Sequence, residues 1–302
     1  MILVTGASGF IGRRLVPALI EKGQEVRCLS RSERVDETGA EWVSGDLLQP
    51  ETIDAALAGV DTAYYLVHSL DRRDFGQVDR EAARNFVSAA DHCGVRRVIY
   101  LSGLGEENSL SPHLDSRREV AQILNRGRYD LTELRAAIIL GAGGASYEII
   151  RFLVKTQPVL LAPRWLRARI QPIAVDNVIG YLLGCLFEET TAGEGFDIGG
   201  PEILTYRDLL NRFAAVAGEV NLMLPTPVFS ARLVAAMVAV ATPVSYAVAR
   251  SLLEGIDSDV ICEETRIRDY IPQTLIPLEE AVEKALLEGR EKEKKGKTVH
   301  GR

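Results

Sequence analysis

Three glycines near the first residue have the types and spacing that can bind a phosphate. The stretch VTGASGFIGRRL begins at Val4 and contains Gly6, Gly9 and Gly12 in the pattern G-x-x-G-x-x-G. A strand that turns directly into a helix brings free backbone N–H groups and the positive end of the helix dipole to one point. A glycine in the middle of the turn lets a diphosphate approach the backbone. A tight turn without a ligand would contain the same glycines, but the apolar strand before them and the apolar helix after them favour a dinucleotide site.

The end of the second predicted strand indicates which dinucleotide it is. Ser30 and Arg31 stand where an NAD-binding protein presents a carboxylate to the ribose 2′-hydroxyl. A guanidinium at that point suits a 2′-phosphate instead. Arg13, directly after Gly12, would add a second positive charge, although both arginines would also be ordinary on a solvated surface. We therefore expect NADP(H) rather than NAD(H).

The elements that must position this loop follow a regular order. From Ile2 to about Leu140, short apolar runs alternate with helical stretches, which predicts βαβ units. The runs are ILVTG, EVRCLSR, EWVSGD, DTAYYLV, RRVIYLS and LTELRAAIIL, with a further candidate, GFDIGG, at 195–200. Strands buried on both faces read as continuous Val, Ile and Leu runs. The fold class is therefore α/β, a Rossmann-type, doubly wound and mostly parallel sheet with a smaller, mainly helical C-terminal lobe.

The same pattern divides the chain. We assign residues 1–140 and the strand near 195–200 to the Rossmann domain, and residues 141–194 and 201–287 to the smaller substrate or lid lobe. From Arg290 onward six Lys or Arg face two Glu, which leaves −11 on residues 1–289 of a chain whose formal charge is −7. Because residues 288–302 contain almost no apolar side chains, we expect this tail to be disordered.

Composition excludes several classes of protein. The negative charge argues against nucleic-acid binding, which requires a basic face. Four scattered cysteines and four scattered histidines show no zinc spacing, so no metal is expected. The first strand begins at Ile2 without a basic segment before it, which argues against a signal peptide and favours the cytoplasm. The 17 uncharged residues between Arg232 and Arg250 approach the length of a membrane span, but Pro243 interrupts them and favours two packed helices.

Several motifs together resemble a known superfamily. TGASGFIG, GDLLQPE, YYLVHSL and VIYLSGLG resemble the short-chain dehydrogenases/reductases, and more narrowly their extended, atypical branch of NmrA-like and epimerase-like NAD(P)-binding proteins. The resemblance continues through LRAAIILGAGG, IQPIAVDNVIGYLLGCL and FDIGGPEILTYRDLL and covers about residues 1–215. It implies that Asp176 ties the second lobe to the first. It also implies cofactor contacts from Gly6, Ala7, Ser8, Gly9, Phe10, Ile11, Gly12, Asp46, Leu47, Leu66, Val67, His68, Ala137 and Ile138.

The chain departs from this superfamily at its catalytic pair. Active members carry Tyr-x-x-x-Lys, in which the lysine lowers the tyrosine pKa and the tyrosine exchanges a proton with the substrate oxygen. None of the nine tyrosines here is followed by lysine at that spacing. In the matching segment, SPHLDSRREVAQIL, His113 falls on the tyrosine and Arg117 on the lysine. Ser102 is the nearest match to the serine that polarises the substrate oxygen. Histidine exchanges protons near neutral pH, and Arg117 would still bind ribose hydroxyls.

Two functions remain open. One is an NADP-dependent oxidoreductase with His-x-x-x-Arg in place of the usual pair. The other is a binding protein without turnover, a cofactor-sensing regulator or assembly scaffold, because relatives that serve as a respiratory complex I accessory subunit bind NADPH without obvious turnover. Residues 225–255 predict two apolar helices broken near Thr242–Pro243. These helices either roof the nicotinamide end for a lipophilic quinone, isoprenoid or aromatic ketone, or bury their apolar sides on the lobe or in a homodimer.

Overall fold

The strands and helices follow the order that the sequence predicts. The computed structural model describes residues 1–32, 38–72, 74–105, 112–162, 164–225, 230–254 and 258–299. Its strands are β1 (Ile2–Thr5), β2 (Val26–Ser30), β3 (Glu41–Ser44), β4 (Thr62–Tyr65), β5 (Arg97–Gly103), β6 (Asp130–Ala136), β7 (Ile139–Leu140), β8 (Val159–Ala162), β9 (Arg169–Ile170), β10 (Ile173–Ala174), β11 (Gly195–Ile198), β12 (Leu204–Thr205) and β13 (Leu222–Pro225). The helices are α1 (Gly12–Glu21), α2 (Pro50–Leu57), α3 (Phe75–Cys93), α4 (Pro112–Leu124), α5 (Ala145–Thr156), α6 (Val175–Phe187), α7 (Tyr206–Ala217), α8 (Ala231–Ala241), α9 (Tyr246–Glu254), α10 (Ile267–Tyr270) and α11 (Leu278–Val299).

One parallel sheet forms the centre of the molecule. Within the described residues it has seven strands in the order β11-β6-β5-β4-β1-β2-β3, and every neighbouring pair is parallel. The central strands β1 and β4 are buried along their whole length, whereas the edge strand β3 is exposed at both ends. This burial explains why the central strands read as unbroken apolar runs. The predicted fold class is confirmed.

Helices cover both faces of the sheet. They are needed on both because successive side chains of a strand point to opposite faces, and both sets are apolar here. Leu3 and Tyr65 pack with helices α2, α3 and α4 on one face. Ile2, Val4 and Tyr64 pack with α1 and α6 on the other. Each cluster contains residues that are completely buried, so helices cover both faces of the sheet and its strand ends are available for a ligand.

Helix α6 differs from the sequence-based division of the chain. That division assigns 141–194 to the smaller lobe, but α6 packs its Val178 and Leu182 against the Rossmann sheet. The Tyr64 hydroxyl donates to the Leu182 carbonyl oxygen at 2.9 Å. The reason is the composition of α6, which is apolar on most of its surface and therefore needs cover on more than one side. Asp176 in its first turn lies 3.6 Å from the Lys284 ammonium of α11.

The remaining elements form two further apolar clusters. In one, α5, α7 and the first turns of α11 pack together. In the other, α8 and α9 pack on α5 through Ile149 and Phe152. The predicted break between the two apolar helices is confirmed, because α8 ends at Ala241 and α9 begins at Tyr246. No helix in the described part of the chain has both the length and the apolar character needed to cross a bilayer.

The last helix also departs from expectation. Residues 288–302 are predicted to be disordered, yet α11 continues to Val299. Its first turns bury Leu278, Val282 and Leu286, and Glu288 forms an ion pair with Arg14 of α1. A helix anchored in this way is extended by the Glu, Lys and Arg residues that follow, which are good helix formers.

Candidate cofactor and substrate cleft

A single long cleft lies at the carboxyl ends of the sheet strands. Its volume is about 1220 Å³. It opens where β1 lies between β4 and β2, which is the point where the strand order reverses and where doubly wound sheets bind their ligands. The cleft brings together all but two of the predicted site residues: Gly6, Ser8, Gly9, Phe10, Ile11, Gly12, Ser30, Arg31, Asp46, Leu47, Leu66, Val67, His68, Ser102, His113, Arg117, Ala137 and Ile138.

The glycine loop lies at one side of the cleft. A backbone hydrogen bond closes its turn, and the surface that faces the cleft is free of side chains at Gly9. The Gly9 amide donates to the Gly6 carbonyl at 2.9 Å, and Gly6 has a φ of +67° that favours glycine. A Cβ on Gly12 would collide with the Gly6 carbonyl and the Ala7 backbone, so Gly12 allows the close packing of α1. A Cβ on Gly9 would meet only the Gly6 oxygen, at 3.1 Å. Gly9 therefore leaves room toward the cleft, as a diphosphate requires.

A second glycine-rich loop faces the first. Gly144 precedes α5, and a Cβ there would lie 2.8 Å from the ring of Phe10. Arg13, expected near a 2′-phosphate, instead donates to the Ala142 carbonyl at 2.9 Å, and neither Arg13 nor Ala7 is among the residues that line the cleft. Burial lowers the pKa of Arg13, and the neighbouring Arg14 lowers it further. Arg13 thus joins the two loops.

The adenosine end of the cleft contains the residues predicted for it. Ser30 ends β2, and Arg31 follows it and is exposed at the cleft. Asp46 Oδ1 accepts from the Leu48 amide at 3.0 Å, which fixes the turn after β3. Arg72, which the sequence reasoning did not select, also lines this end and forms an exposed ion pair with Asp74. The end therefore offers the guanidinium groups of Arg31 and Arg72 and the carboxylates of Asp46 and Asp71.

The opposite end lies below the strands that should face a nicotinamide. Leu66, Val67 and His68 follow β4, and Ala137 and Ile138 lie between β6 and β7. The exposed surface of His68 faces the cleft, yet protein atoms surround the ring. The loss of water around the ring, and then the charge of Arg117, lower the pKa of His68 below its ordinary value. His68 is therefore an uncharged residue at neutral pH.

The substituted pair lies in this end as well. His113 is 8% exposed and lines the cleft with Arg117 and Ser102. Burial, followed by the positive charge of Arg117, lowers the pKa of His113 to about 4, although a hydrogen bond with the Ser251 backbone opposes the shift. Arg117 donates to the Leu101 carbonyl at 3.3 Å, which holds it under the end of β5. The pKa of His113 lies below the neutral range expected from the sequence, because burial first and the charge of Arg117 second favour the neutral ring.

A buried carboxylate, Asp79, lies outside the cleft near His113 and Arg117. Asp79 of α3 is 4% exposed, and the Ser116 hydroxyl donates to its Oδ2 at 3.4 Å. Burial raises the pKa of Asp79, while Ser69, Arg117 and Ser116 lower it. Asp79 thus partly balances the charge of Arg117 from outside the cleft. The sequence reasoning missed it, because Asp79 belongs to a helix 38 positions earlier than Arg117 and matches no motif.

The turn between α8 and α9 closes the cleft above this end. Pro243, Val244, Val248 and Leu252 line it, together with Ile149 of α5. A roof here is one of the two arrangements that the sequence leaves open for residues 225–255. Tyr206 at the start of α7 is the one tyrosine that lines the cleft among the described residues, and burial raises its pKa. Nothing in the sequence around Tyr206 signals its position, since the site's other parts lie far from it along the chain.

A cluster of metal-ligating types occurs outside the cleft. Asp54 of α2 and His92 and Cys93 of α3 place one ligand atom each within 4.8 Å of one another. His92 Nδ1 lies 3.2 Å from Asp54 Oδ2 at the surface. Motif spacing does not find this group, because its members come from two helices. None of the three lines the cleft.

Comparison with known proteins identifies the family. The family model for NAD(P)H-binding matches residues 6–156, half of the chain, and the chain belongs to that family. The photosystem II assembly factor Ycf39 of Trieres chinensis is 26% identical over 242 residues, which are 77% of this chain and 74% of that protein. The ceramide reductase of Caulobacter vibrioides is 29% identical over 167 residues, or 53% of each chain.

Solved structures confirm the architecture. The triphenylmethane reductase of Citrobacter sp., complexed with NADP(H), superposes with a TM-score of 0.76 at 20% identity and covers 94% of this chain and all of its own. A nucleoside-diphosphate-sugar epimerase from Staphylococcus aureus gives a TM-score of 0.76 at 16% identity, over 93% of this chain and 99% of its own. At these identities the likeness shows the fold alone: the extended, reductase-like and epimerase-like Rossmann fold that the motifs predict.

Proposed function

We propose that this protein is an NADP(H)-dependent reductase of a lipophilic carbonyl or quinone compound. The observation that carries the proposal is the continuous cleft, which runs from the glycine loop and Arg31 to Ser102, His113 and Arg117 and then to an apolar roof. The open surface at Gly9 fits a diphosphate, and the exposed Arg31 guanidinium fits a 2′-phosphate. These two features support NADP(H) over NAD(H).

The chemistry proposed for the nicotinamide end of the cleft depends on the positive charge of Arg117. When bound, the reduced nicotinamide supplies a hydride to the carbonyl carbon of the acceptor. Negative charge then develops on the acceptor oxygen, where the Ser102 hydroxyl donates a hydrogen bond and Arg117 provides a positive field. Burial is the first cause of the lowered pKa of His68 and of His113, and this field is the second. Charge stabilisation by Arg117 thus replaces the proton donation of the usual tyrosine as the main contribution.

The proton that balances the reaction needs a separate source. His113 is neutral at pH 7, so it passes a proton through its ring nitrogens or accepts one in the oxidation direction, but it is not a charged acid. The Tyr206 phenol keeps its proton at neutral pH and is a second candidate donor. Substituting these residues one at a time distinguishes the two.

The apolar roof supports a lipophilic acceptor. Pro243, Val244, Val248 and Leu252 offer no charge to a substrate, so an apolar body is favoured beside the nicotinamide end. Relatives of this chain include proteins named ceramide reductase, 3-beta-hydroxysteroid dehydrogenase and sterol demethylase protein B, at 29%, 34% and 34% identity over partial alignments. These names refer to lipids, which favours a lipid-like substrate for this chain as well.

The test is consumption of NADPH by the full chain with quinones, aromatic ketones and long-chain keto compounds. We expect turnover with at least one of these classes, a loss of at least about tenfold for Arg117→Met through lost charge stabilisation, and a smaller loss for His113→Ala or Tyr206→Phe, whichever supplies the proton. Absence of NADPH binding would contradict the whole proposal.

A second function has its own support. The longest of the alignments reported above is with a photosystem II assembly factor, which favours a cofactor-binding assembly or sensing protein. NADPH binding without consumption in the presence of any acceptor, together with NADPH-dependent protection from proteolysis, would support this alternative. Consumption that requires Arg117 would reject it.

A further inference from the structure

The outer face of α8 is apolar although it is exposed. The inner side of this helix, with Ala235 and Val238, is completely buried against α5 and α9. On the opposite side Leu233, Met237 and Val240 are 63%, 39% and 90% exposed. These three follow the i, i+4, i+7 spacing of one helix face. We call them the outer face of α8.

A helix that is apolar on all sides is normally covered on all sides. Further exposed apolar residues occur on the paired strands β8 and β13, where Val159 pairs with Leu222 and both are exposed, as is Leu224. Tyr246 at the start of α9 is 41% exposed as well. Isolated exposed apolar residues are common, but three on one face of α8, beside the adjoining helix α9, mark an interaction surface.

The distribution of charged residues indicates which partner binds the outer face of α8. Residues 149–175 and 220–253, which contain most of α5 and all of β8, β13, α8 and nearly all of α9, include seven Lys or Arg and no Asp or Glu. Because the whole chain carries −7, the remainder carries −14. Helices α5 and α9 contain one acidic residue each, Glu148 and Glu254, and each forms an ion pair with an arginine of its own helix. This asymmetry of charge attracts an anionic partner.

Several of these basic groups are available at the surface. Lys155, Arg167 and Arg232 are exposed, and Arg232 is adjacent to Leu233 at the start of the outer face. Three of the other arginines form ion pairs with acidic residues just outside the two segments or elsewhere in the chain. Apolar side chains flanked by cations are the arrangement that binds at the boundary between lipid headgroups and acyl chains.

We propose that the outer face of α8 docks on an anionic lipid bilayer. The helix has 11 residues and lies in the plane of the membrane surface, with Leu233, Met237 and Val240 entering the acyl boundary and exposed cations such as Arg232 binding lipid phosphates. A second copy of this chain would bring two surfaces of the same positive charge together, so self-association through this face is disfavoured.

Docking has a consequence for the cleft. Tyr246 is exposed, whereas Val248 and Leu252 of the same helix α9 line the cleft, and the α8–α9 turn lines it too. An apolar molecule dissolved in the bilayer would therefore need to pass only this helix and turn to reach the nicotinamide end. The route rests on the proposed function, but the docking itself does not.

The experiment measures cosedimentation of the full chain with vesicles. One set contains equal parts of phosphatidylglycerol and phosphatidylcholine, and the other contains phosphatidylcholine alone. We expect at least about tenfold stronger binding to the anionic vesicles. We expect the double variant Leu233→Glu/Val240→Glu to lose at least about tenfold in affinity, because carboxylates cannot enter the acyl boundary.

The matched control is Ile203→Glu/Leu287→Glu, which changes residues that are 52% and 60% exposed outside this subdomain. It should bind as the unaltered chain does. A second variant, Lys155→Ala/Arg167→Ala/Arg232→Ala, leaves the apolar face intact and should weaken binding and its dependence on salt. Circular dichroism and NADPH affinity verify folding, and NADPH consumption is recorded separately, so failure of docking and failure of the proposed function are distinguishable.

Three results would overturn the proposal. One is an unaltered chain that binds neither set of vesicles. Another is a Leu233→Glu/Val240→Glu variant, or a Lys155→Ala/Arg167→Ala/Arg232→Ala variant, that binds anionic vesicles as well as the control does. The last is a dimer in sedimentation velocity that Leu233→Glu/Val240→Glu dissociates, which would make the face a contact between copies of the chain.

Discussion

His113 of α4 forms a hydrogen bond with the backbone of Ser251 in α9. This bond joins the helix that carries the substituted pair to the helix that closes the cleft. The position of the roof and the environment of the histidine are therefore coupled. Burial is also the first cause of the lowered pKa of His113, with the charge of Arg117 second.

The lowered pKa predicts a specific dependence of stability on pH. The ordinary pKa of 6.5 falls to about 4 in the folded chain. Below the ordinary value the unfolded chain binds a proton that the folded chain does not, so the free energy of unfolding falls as the pH drops through this window and levels off below the folded pKa. The full contribution is about 3 kcal/mol, of which about 2 kcal/mol is lost between about pH 7 and pH 5.

The measurement is urea unfolding of the unaltered chain and of His113→Gln at both pH values. The variant should lose less free energy of unfolding on acidification, by about 2 kcal/mol. His92→Gln is the control, because the His92 side chain is 76% exposed, and it should retain the original difference. Equal pH dependence of all three proteins would show that His113 is not held neutral by the fold.

The glycine loop predicts that two similar substitutions fail in different ways. Gly9→Ala adds a Cβ whose one close neighbour is the Gly6 oxygen at 3.1 Å, so the fold should persist while NADPH affinity falls at least about tenfold. Gly12→Ala adds a Cβ that collides with backbone atoms of Gly6 and Ala7. It should lower the free energy of unfolding by about 1–3 kcal/mol.

Thermal unfolding and fluorescence titration with NADPH separate the two effects. Each variant is the control of the other, since both add one methyl group to the same loop. If Gly9→Ala bound NADPH as tightly as the unaltered chain, the loop would not be the diphosphate site. A Gly12→Ala protein with unchanged stability would contradict the close packing of α1.

The cofactor preference depends on Arg31. Arg31→Ala should weaken NADPH binding at least about tenfold and leave NADH binding nearly unchanged, because only the former has a 2′-phosphate for a charge-assisted hydrogen bond. Isothermal titration of both cofactors measures this difference. Arg207→Ala, an exposed arginine outside the cleft, should alter neither affinity. Equal weakening of both cofactors by Arg31→Ala would remove the argument for NADP(H).

The parts that sequence predicts well are those that depend on neighbours along the chain. The glycine loop, the continuous apolar strands and the break at Pro243 each follow from local spacing, and the structure contains all three. Arg13 shows the opposite case, because its partner is the carbonyl of Ala142, 129 positions away. Its position after Gly12 indicates a charge near the loop but not which group that charge binds.

The same limit explains why the structure differs from the sequence-based expectations at the catalytic end and in the lobes. The lowered pKa of His113 depends on α9 and Arg117, and no spacing rule predicts burial by a helix more than a hundred residues later. Helix α6 is apolar enough for either lobe, and only its contacts with Tyr64 and the sheet decide the assignment. The tail beyond Glu288 has a composition typical of disorder, but the anchored first turns of α11 extend it as a helix.

The roof predicts which acceptors enter the cleft. Val248→Asn and Leu252→Asn should each weaken binding of an apolar probe, such as anilinonaphthalene sulfonate, by about fivefold, because burying apolar surface against an amide loses part of the transfer free energy. For acceptors that are turned over, KM should rise most for those with the largest apolar part, while NADPH affinity stays constant. Phe187→Asn, which changes a residue that is 56% exposed outside the cleft, should leave both measurements unchanged. If the roof variants instead lowered NADPH affinity and spared the apolar probe, the turn between α8 and α9 would lie over the cofactor and not over the acceptor.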